Sequence, residues 1–322
     1  MTIRRAVEGL ALVAVATGAL GVVVHYLGPE SNKLILLSSF VPLLVVVGIA
    51  GTLVLAAIRA WRSALIGLLV VLAGVWTQLP LFVPSRPSFP DRVAGEPITF
   101  LQANIRLGEA DAEGVVDLVR QHDADVVTVE ELTDDAVVRL REAGIDELLP
   151  EQYLKPRPEG GGGTGIYSRF PLRNAEPLGR FAMENLVADL EVGDGRTVLL
   201  AAVHPMPPYP EPAWRWAAEM EKLGVLLRER ASAGTPVIVS GDFNSTWSHT
   251  RYRSLLTDGF VDAADQTGAG LLLSYPADTV YPAMIGIDRI ITRGATVDRL
   301  ARVDIPGSDH HGLVASVTPW FE

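Results

Sequence analysis

The chain has 322 residues, enough for two domain-sized units, and with 48% hydrophobic and 20% charged residues it is neither disordered nor fibrous. Cysteine is absent, which excludes disulfides, Cys-ligated zinc, iron–sulfur clusters and thiol nucleophiles while leaving the redox compartment open. Charge divides the chain: residues 1–90 hold six basic side chains (Arg4, Arg5, Lys33, Arg59, Arg62, Arg86) and two acidic ones (Glu8, Glu30). The rest holds 21 basic and 36 acidic of the 27 and 38 in all, so the positive mean hydropathy of +0.26 sits mainly in the front part.

Three uncharged runs fill that front part: Gly9 to Gly28, Leu34 to Ile58 and Ser63 to Ser85. About 20 apolar residues at roughly 1.5 Å each cross a hydrocarbon core, so three transmembrane helices are expected within a membrane anchor at residues 1–83. Buried helices of a soluble protein are the competing reading, and three such runs in 90 residues speak against it. Arg4 and Arg5 before Ala14-Val15-Ala16 also suit a cleaved signal peptide, although the run exceeds the usual length. Pro42 falls inside the second run, which lipid tolerates where neighbouring helices satisfy the freed carbonyl. Arg4, Arg5, Arg59 and Arg62 place the N-terminus and the second connection in the cytoplasm by the positive-inside rule. Everything beyond Val83 is then extracytoplasmic, on a multi-pass protein of the cell membrane, whether or not the first span is removed. No ionisable residue lies at a span centre, so nothing marks an ion pathway.

Pro84-Ser85-Arg86-Pro87-Ser88-Phe89-Pro90 begins a Pro-rich linker, 84–96, expected to be an extended tether. Strands are expected at Ile98 to Ile105 and Val126 to Val129, with a helix at Glu113 to His122 between them. Asn185 to Val192 and Thr197 to Val203 flank Gly193-Asp194-Gly195, a hairpin signal. A helix at Pro212 to Ala231 precedes a strand at Pro236 to Ser240, and further strands are expected at Ile287 to Thr292, Val297 to Val303 and Leu313 to Thr318. Hairpins mixed with strand–helix units indicate an α/β sandwich of two mixed β-sheets flanked by helices, occupying 97–322.

Polar residues gather where these strands end. Asn104 closes the first and Glu130-Glu131 the second. His204 follows the hairpin, Asp242 and Asn244 stand in Gly241-Asp242-Phe243-Asn244, Asp288 opens a late strand, and Ser308-Asp309-His310-His311 precedes the last. Each alone is more readily a turn former or helix cap. Six such sites at one kind of position point to a site.

The ordered blocks Leu-Gln-Ala-Asn104-Ile, Val129-Glu130-Glu131, Gly165-Ile166-Tyr167-Ser168-Arg169-Phe170-Pro171, His204, Gly241-Asp242-Phe243-Asn244, Ile287-Asp288-Arg289-Ile290 and Ser308-Asp309-His310 resemble the endonuclease/exonuclease/phosphatase superfamily. Deoxyribonuclease I, abasic-site endonucleases, neutral sphingomyelinases and inositol-polyphosphate 5-phosphatases belong to it. The resemblance runs from Ile98 to Val317, and it implies a deoxyribonuclease I-like fold and divalent-metal-dependent phosphoester hydrolysis. A hard ion, Mg²⁺ or Mn²⁺, prefers oxygen ligands; the resemblance assigns it to Glu131, with Asn104 and Asp309 assisting. It likewise implies that Asp242 activates the attacking water with Asn244 beside it, and that His204 and His310 donate to the phosphate oxygens. Asp288 then backs His310, fixing its tautomer. Water attacks phosphorus directly, with no covalent enzyme intermediate. Three positions depart from the pattern: Glu130 where glutamine is usual, expected in a hydrogen-bonded turn; Gly312 where proline is frequent; and His311, which makes the histidine register ambiguous.

The expected substrate is a phosphodiester, in a nucleic acid or a phospholipid head group, and the lipid bilayer is the expected partner of the spans. An acidic catalytic part lacks the overall charge of a duplex-gripping nuclease, although Lys155, Arg157, Arg169, Arg173 and Arg180 are candidates for a local patch. Tyr209, Trp214, Trp216, Trp247, Tyr275 and Tyr281 are candidates for base stacking, for an interfacial belt, or for core. Alternatives are a phospholipase- or sphingomyelinase-like enzyme and an inactive membrane protein that binds a phosphorylated ligand.

Overall fold

The computed structural model describes residues 2–28, 31–231 and 234–322. Four helices open the chain, α1 (Thr2–Leu27), α2 (Asn32–Ser39), α3 (Val41–Ala57) and α4 (Trp61–Gln78), followed by a 3₁₀ turn at Leu79–Leu81. α1, α3 and α4 form a bundle in which Gly18 meets Gly48. A Cβ on Gly18 would lie 2.9 Å from the Gly48 Cα, so the close approach depends on glycine. The stretches Ile3–Leu27 and Trp61–Leu81 are long and apolar enough to cross a membrane, and a third crossing is present if α2 and α3 count as one bent span.

That bend corrects the expectation of one continuous span from Leu34 to Ile58. The run breaks at Phe40, and its halves diverge by 66°. Pro42 explains the break: it has no N–H, and in a continuous helix its ring would clash with the Ser38 carbonyl. In the first turn of α3 the missing donor costs nothing. α3 alone rises about 26 Å. The freed α2 lies on the catalytic part, where the Asn32 side chain donates to the carbonyls of Pro208 (2.9 Å) and Glu211 (2.6 Å) and accepts from Ala213 N–H (3.1 Å), and Ile35 is buried.

The remainder contains β1 (Val93–Ala94), β2 (Ile98–Asn104), α5 (Ala112–His122), β3 (Val126–Glu130), α6 (Asp134–Glu142), α7 (Ile145–Leu148), β4 (Glu151–Lys155) and β5 (Thr164–Ser168). Next come β6 (Leu172–Pro177), β7 (Leu186–Glu191), β8 (Thr197–Val203), α8 (Ala213–Arg230) and β9 (Val237–Asp242). Last are α9 (Thr250–Arg253), β10 (Val261–Asp262), α10 (Ala263–Thr267), β11 (Asp288–Arg293), β12 (Ala295–Asp304) and β13 (His311–Phe321). One sheet runs β1-β13-β2-β3-β5-β4 with β12 also on β13; the other runs β10-β11-β9-β8-β7-β6. Each holds one parallel pair, β2/β3 and β8/β9, and its other pairs are antiparallel. A helix crosses between the strands of each parallel pair, α5 in the first sheet and α8 in the second, as parallel neighbours require.

Strand alternation then sorts the apolar residues into three layers. Phe100, Val126, Leu200, Ile238 and Ile290 meet between the sheets. Leu101, Val127 and Val129 face α5 through Val115, Val116 and Val119. Ala201, Val203, Val237 and Val239 face α8 through Trp216, Met220 and Leu223. The expected mixed-sheet α/β sandwich is therefore present, and it sits directly on the helical bundle. Trp247 Nε1 donates to Thr77 O (2.9 Å), Arg253 to His25 O (2.5 Å), and Gly270 N–H to Leu81 O (2.7 Å). The Pro-rich segment differs from a free tether for the same reason: Ser85 N–H bonds Asp265 O (3.0 Å), Phe89 packs on Trp320, and β1 pairs with β13.

Candidate active site

The alternation that builds the inner core also builds the site. On the inner faces, Phe100 is followed two and four residues later by Gln102 and Asn104, Val126 by Thr128 and Glu130, and Ile238 by Ser240 and Asp242. Leu200 and Ala202 lead to His204, and Ile290 is preceded by Asp288. Each strand is apolar in the middle and polar at one end, so the polar ends meet between the sheets, all buried. Thr128 and Ser240 hydroxyls bond across the gap at 2.8 Å. Gln102 Nε2 donates to Glu130 Oε2 (2.7 Å) and Asp288 Oδ1 (2.8 Å).

Asp242 is the hub. Its Oδ1 accepts from Asn244 N–H (2.8 Å), a contact made possible by the left-handed backbone of Asn244 (φ 48°), and its Oδ2 accepts from Asn104 Nδ2 (3.1 Å). His204 Nε2 and His310 Nε2 stand 3.7 and 3.8 Å from the same Oδ2. Asn185 holds His204 in place, accepting from its N–H (2.9 Å) and donating to its carbonyl (3.3 Å). His310 Nδ1 pairs with Asp288 Oδ2 at 2.9 Å, and its ring packs on Tyr275. Burial opposes charge on His310, but the carboxylates of Asp288, Asp242 and Asp309 outweigh it and raise its pKa to about 10. Burial, reinforced by Asp288, pushes Asp242 above the usual carboxylate range. Burial acts the same way on Asp288, but the charge and hydrogen bond of His310 hold it below that range.

Glu131 is placed by a break in the strand. At φ 60° the chain leaves β3, so Glu131 turns into the cleft while Glu130 stays between the sheets. Glu131 Oε2 accepts from Leu107 N–H (2.6 Å), and Oε1 accepts from Asn104 Nδ2 (3.3 Å). Asn104 Oδ1 is taken by Arg106 N–H (3.0 Å), so its amide joins the two carboxylates as a donor. Glu131, Asp242, Asn244, His204, Asp309 and His310 line one cleft of about 340 Å³. The donors suit a hard divalent cation, because Glu131, Asp309 and Asp242 supply carboxylate oxygen and the chain has no cysteine to offer a thiolate. Asp242, Asp288 and His310 also bring three ligand-type atoms within 4.8 Å of one another. Asp288 and His310 are already bonded to each other there, which leaves the face beside Glu131 as the better place for an ion.

All eight sequence-derived site residues therefore meet at one end of the sandwich. The register question resolves to His310, since His311 turns away to Asp304 (2.8 Å). Glu130 lies in the buried bond with Gln102 instead of the expected turn, and burial pushes its carboxyl well above the usual range. A Cβ at Gly312 would lie 2.5 Å from Gln102 O, so close packing on β2 explains the glycine. The candidate basic patch does not form a stripe: Arg157 pairs with Glu184, Arg169 with Asp123 and Asp125, and Arg173 with Glu191. Trp216 and Trp247 are core, whereas Tyr209 and Trp214 are exposed. Sequence reasoning missed Gln102, Asn185 and Ser274, and named Ser308 in its block without giving it a role. Ser274 Oγ accepts from Asp288 N–H (3.3 Å), and Ser308 Oγ donates to Asn104 O (2.8 Å) and accepts from His310 N–H (3.0 Å). It also missed α2, whose Asn32, Ile35, Leu36 and Ser39 form one wall of the cleft.

The model of the Endonuclease/Exonuclease/phosphatase family matches residues 101–310, a span that contains all eight residues. No curated protein sequence matches the chain. Among solved structures, the fold is similar to D. rerio TDP2 complexed with single strand DNA product (TM-score 0.56, 19% identity, 69% of this chain and 99% of that one). It is also similar to an endonuclease/exonuclease/phosphatase from Beutenbergia cavernae (0.53, 15%, 69% and 72%) and to the human Nocturnin catalytic domain with bound sulfate anion (0.52, 20%, 72% and 97%). At these identities the likeness is one of fold.

Proposed function

The chain belongs to the endonuclease/exonuclease/phosphatase family and is a metal-dependent hydrolase of phosphoester bonds; from that premise we propose a membrane-anchored phosphodiesterase in which water attacks phosphorus directly. The observation that carries this reading is the meeting of Asp242 Oδ2 with the Nε2 atoms of His204 and His310, beside Glu131, in one cleft. Asp242 orients the water and takes its proton, with Asn244 fixing the carboxylate through its backbone N–H. His204 and His310 donate to the non-bridging oxygens as charge builds there, and Asp288 holds the His310 tautomer from behind. Mg²⁺ or Mn²⁺, bound by Glu131 and Asp309 with Asn104 alongside, would neutralise charge on the phosphate.

Residues 1–83 serve as the anchor, 84–96 as the connection and 97–322 as the catalytic domain, facing the extracytoplasmic side of the cell membrane. The single-strand DNA product on D. rerio TDP2 favours nucleic acid as a second reading, with the exposed Tyr209 and Trp214 available to stack bases. The test uses the full chain in detergent with bis(p-nitrophenyl) phosphate and Mg²⁺ or Mn²⁺. Asp242→Ala is expected to lower kcat by roughly 10²–10⁴-fold, and chelation of the metal to abolish turnover. An unchanged rate in Asp242→Ala overturns the assignment.

A further inference from the structure

The helical bundle carries a second cavity. Pro42, Val45 and Val46 of α3, Val75 of α4, Phe82 and Leu271 line an apolar groove of about 290 Å³ at the end of the bundle nearest the catalytic cleft. Val46, Val75 and Phe82 are exposed along it; Val75 lies on a helix long and apolar enough to cross a membrane, and Val46 on the longer half of the bent α2–α3 pair. A gap of about 10 Å³ lies between the two and shares their lining: Ser39 and Ile285 line both the cleft and the gap, and Pro42, Gln78 and Leu271 line both the gap and the groove. The Pro42 break creates this continuity, because it turns α2 onto the catalytic domain and leaves the start of α3 beside Leu271. The mouth follows the same character: Leu36 and Tyr209 line the cleft and are half-exposed or more, and Met284 is exposed beside the gap.

From this continuity we infer that the groove is an acyl-chain subsite, and that the substrate is a membrane phospholipid whose phosphodiester occupies the catalytic cleft while a hydrocarbon chain lies against α3 and α4. The inference rests on the phosphodiesterase reading above. The groove presents only apolar side chains and the Gln78 amide, which suits an alkyl chain and offers nothing to a sugar–phosphate backbone. Arg157, Arg169 and Arg173, three of the side chains that could have followed such a backbone, are held by carboxylates, on a part of the chain with 36 acidic and 21 basic side chains. In the reaction the water oxygen bonds to phosphorus, its proton passes to Asp242, and one ester P–O bond breaks. That bond's electrons leave on an alcohol oxygen, which takes up a proton. The products are one phosphomonoester and one alcohol.

The full chain is assayed with Mg²⁺ on vesicles of phosphatidylcholine, phosphatidylethanolamine, phosphatidylglycerol and phosphatidylinositol, on the four deacylated head groups, on a single-stranded oligonucleotide, and on bis(p-nitrophenyl) phosphate. At least one diacyl lipid is expected to exceed its deacylated counterpart by ~10-fold or more in kcat/KM. Val46→Trp and Val75→Trp, which fill the groove from its exposed side, are expected to remove that advantage and leave bis(p-nitrophenyl) phosphate turnover unchanged. Leu69→Trp, on the lipid-exposed surface outside the groove, keeps the advantage. Hydrolysis of the oligonucleotide or of bis(p-nitrophenyl) phosphate while none of the diacyl lipids is hydrolysed, or an acyl advantage that survives both groove variants, overturns the inference. Failure on every phosphodiester overturns the underlying activity instead.

Discussion

Glu130 and Glu131 are adjacent and chemically identical, yet they answer to different surroundings. Period-two alternation sends Glu130 between the sheets to Gln102, while the left-handed turn at the next residue sends Glu131 into the cleft. Glu130→Gln keeps the shape and the bond to Gln102, so its turnover is expected to stay within about threefold of wild type, a change that does not register as a lost catalytic interaction. Glu131→Gln removes a carboxylate from the face proposed for the ion, and the apparent affinity for Mg²⁺ is expected to fall at least ~10-fold. Rate against Mg²⁺ concentration for both variants checks the pair; equal behaviour would refute the division of roles.

The element that ties the helical bundle to the cleft is α2, and its latch is His249. The ring is buried; Nδ1 accepts from Thr246 N–H (3.0 Å), so Nε2 carries the proton toward Ile35 O (3.0 Å), with Ser39 Oγ 3.3 Å away. Burial, supported by the charges of Arg253 and Arg289, lowers the pKa from 6.5 to about 4, against the pull of the Ile35 carbonyl. An unfolded histidine binds its proton below about 6.5 and the folded one only below about 4, so between those values the unfolded chain holds more protons. Stability from this group is complete above pH 6.5 and is lost as pH falls toward 4, by up to about 1.4 kcal/mol per pH unit. Thermal unfolding of the full chain across that range is expected to show the fall, and His249→Gln to flatten it. A wild type and variant with parallel pH profiles would exclude the latch.

At the scale of the whole molecule, the bundle has two unlike ends. Arg4 donates to Ile58 O (3.1 Å), which gathers Arg4, Arg5, Arg59 and Arg62 at one end, while the catalytic part packs on the other through Thr77, Leu81 and His25. The topology proposed above, with the basic end cytoplasmic by the positive-inside rule, is open to a direct test. Because the chain has no cysteine, single-cysteine variants report position without background. Asp194→Cys, in the exposed hairpin turn, is expected to react with a membrane-impermeant thiol reagent on intact cells, and Ala60→Cys only after permeabilisation. The reverse pattern would invert the proposed topology.

Composition and spacing determined the division into apolar and acidic parts and the mixed α/β sandwich, and marked the polar strand ends, from which the resemblance to the family picked the eight side chains that converge. Hydropathy and alternation are local properties, and a polar residue that ends an apolar strand already announces which end of a sheet it occupies. Short, part-exposed β4 and β6 and the supporting Gln102, Asn185 and Ser274 carried no such mark, since a lone polar residue gains its meaning only from the partner it meets. Tertiary structure decided that Glu131 and not Glu130 enters the cleft, that His310 and not His311 faces Asp242, and that Leu34 to Ile58 breaks at Phe40 to give the cleft a wall made of helix α2. Those outcomes depend on a single backbone angle, on register across β13, and on a packing surface more than 170 residues away along the chain. Distances of that kind exist only once the chain has folded.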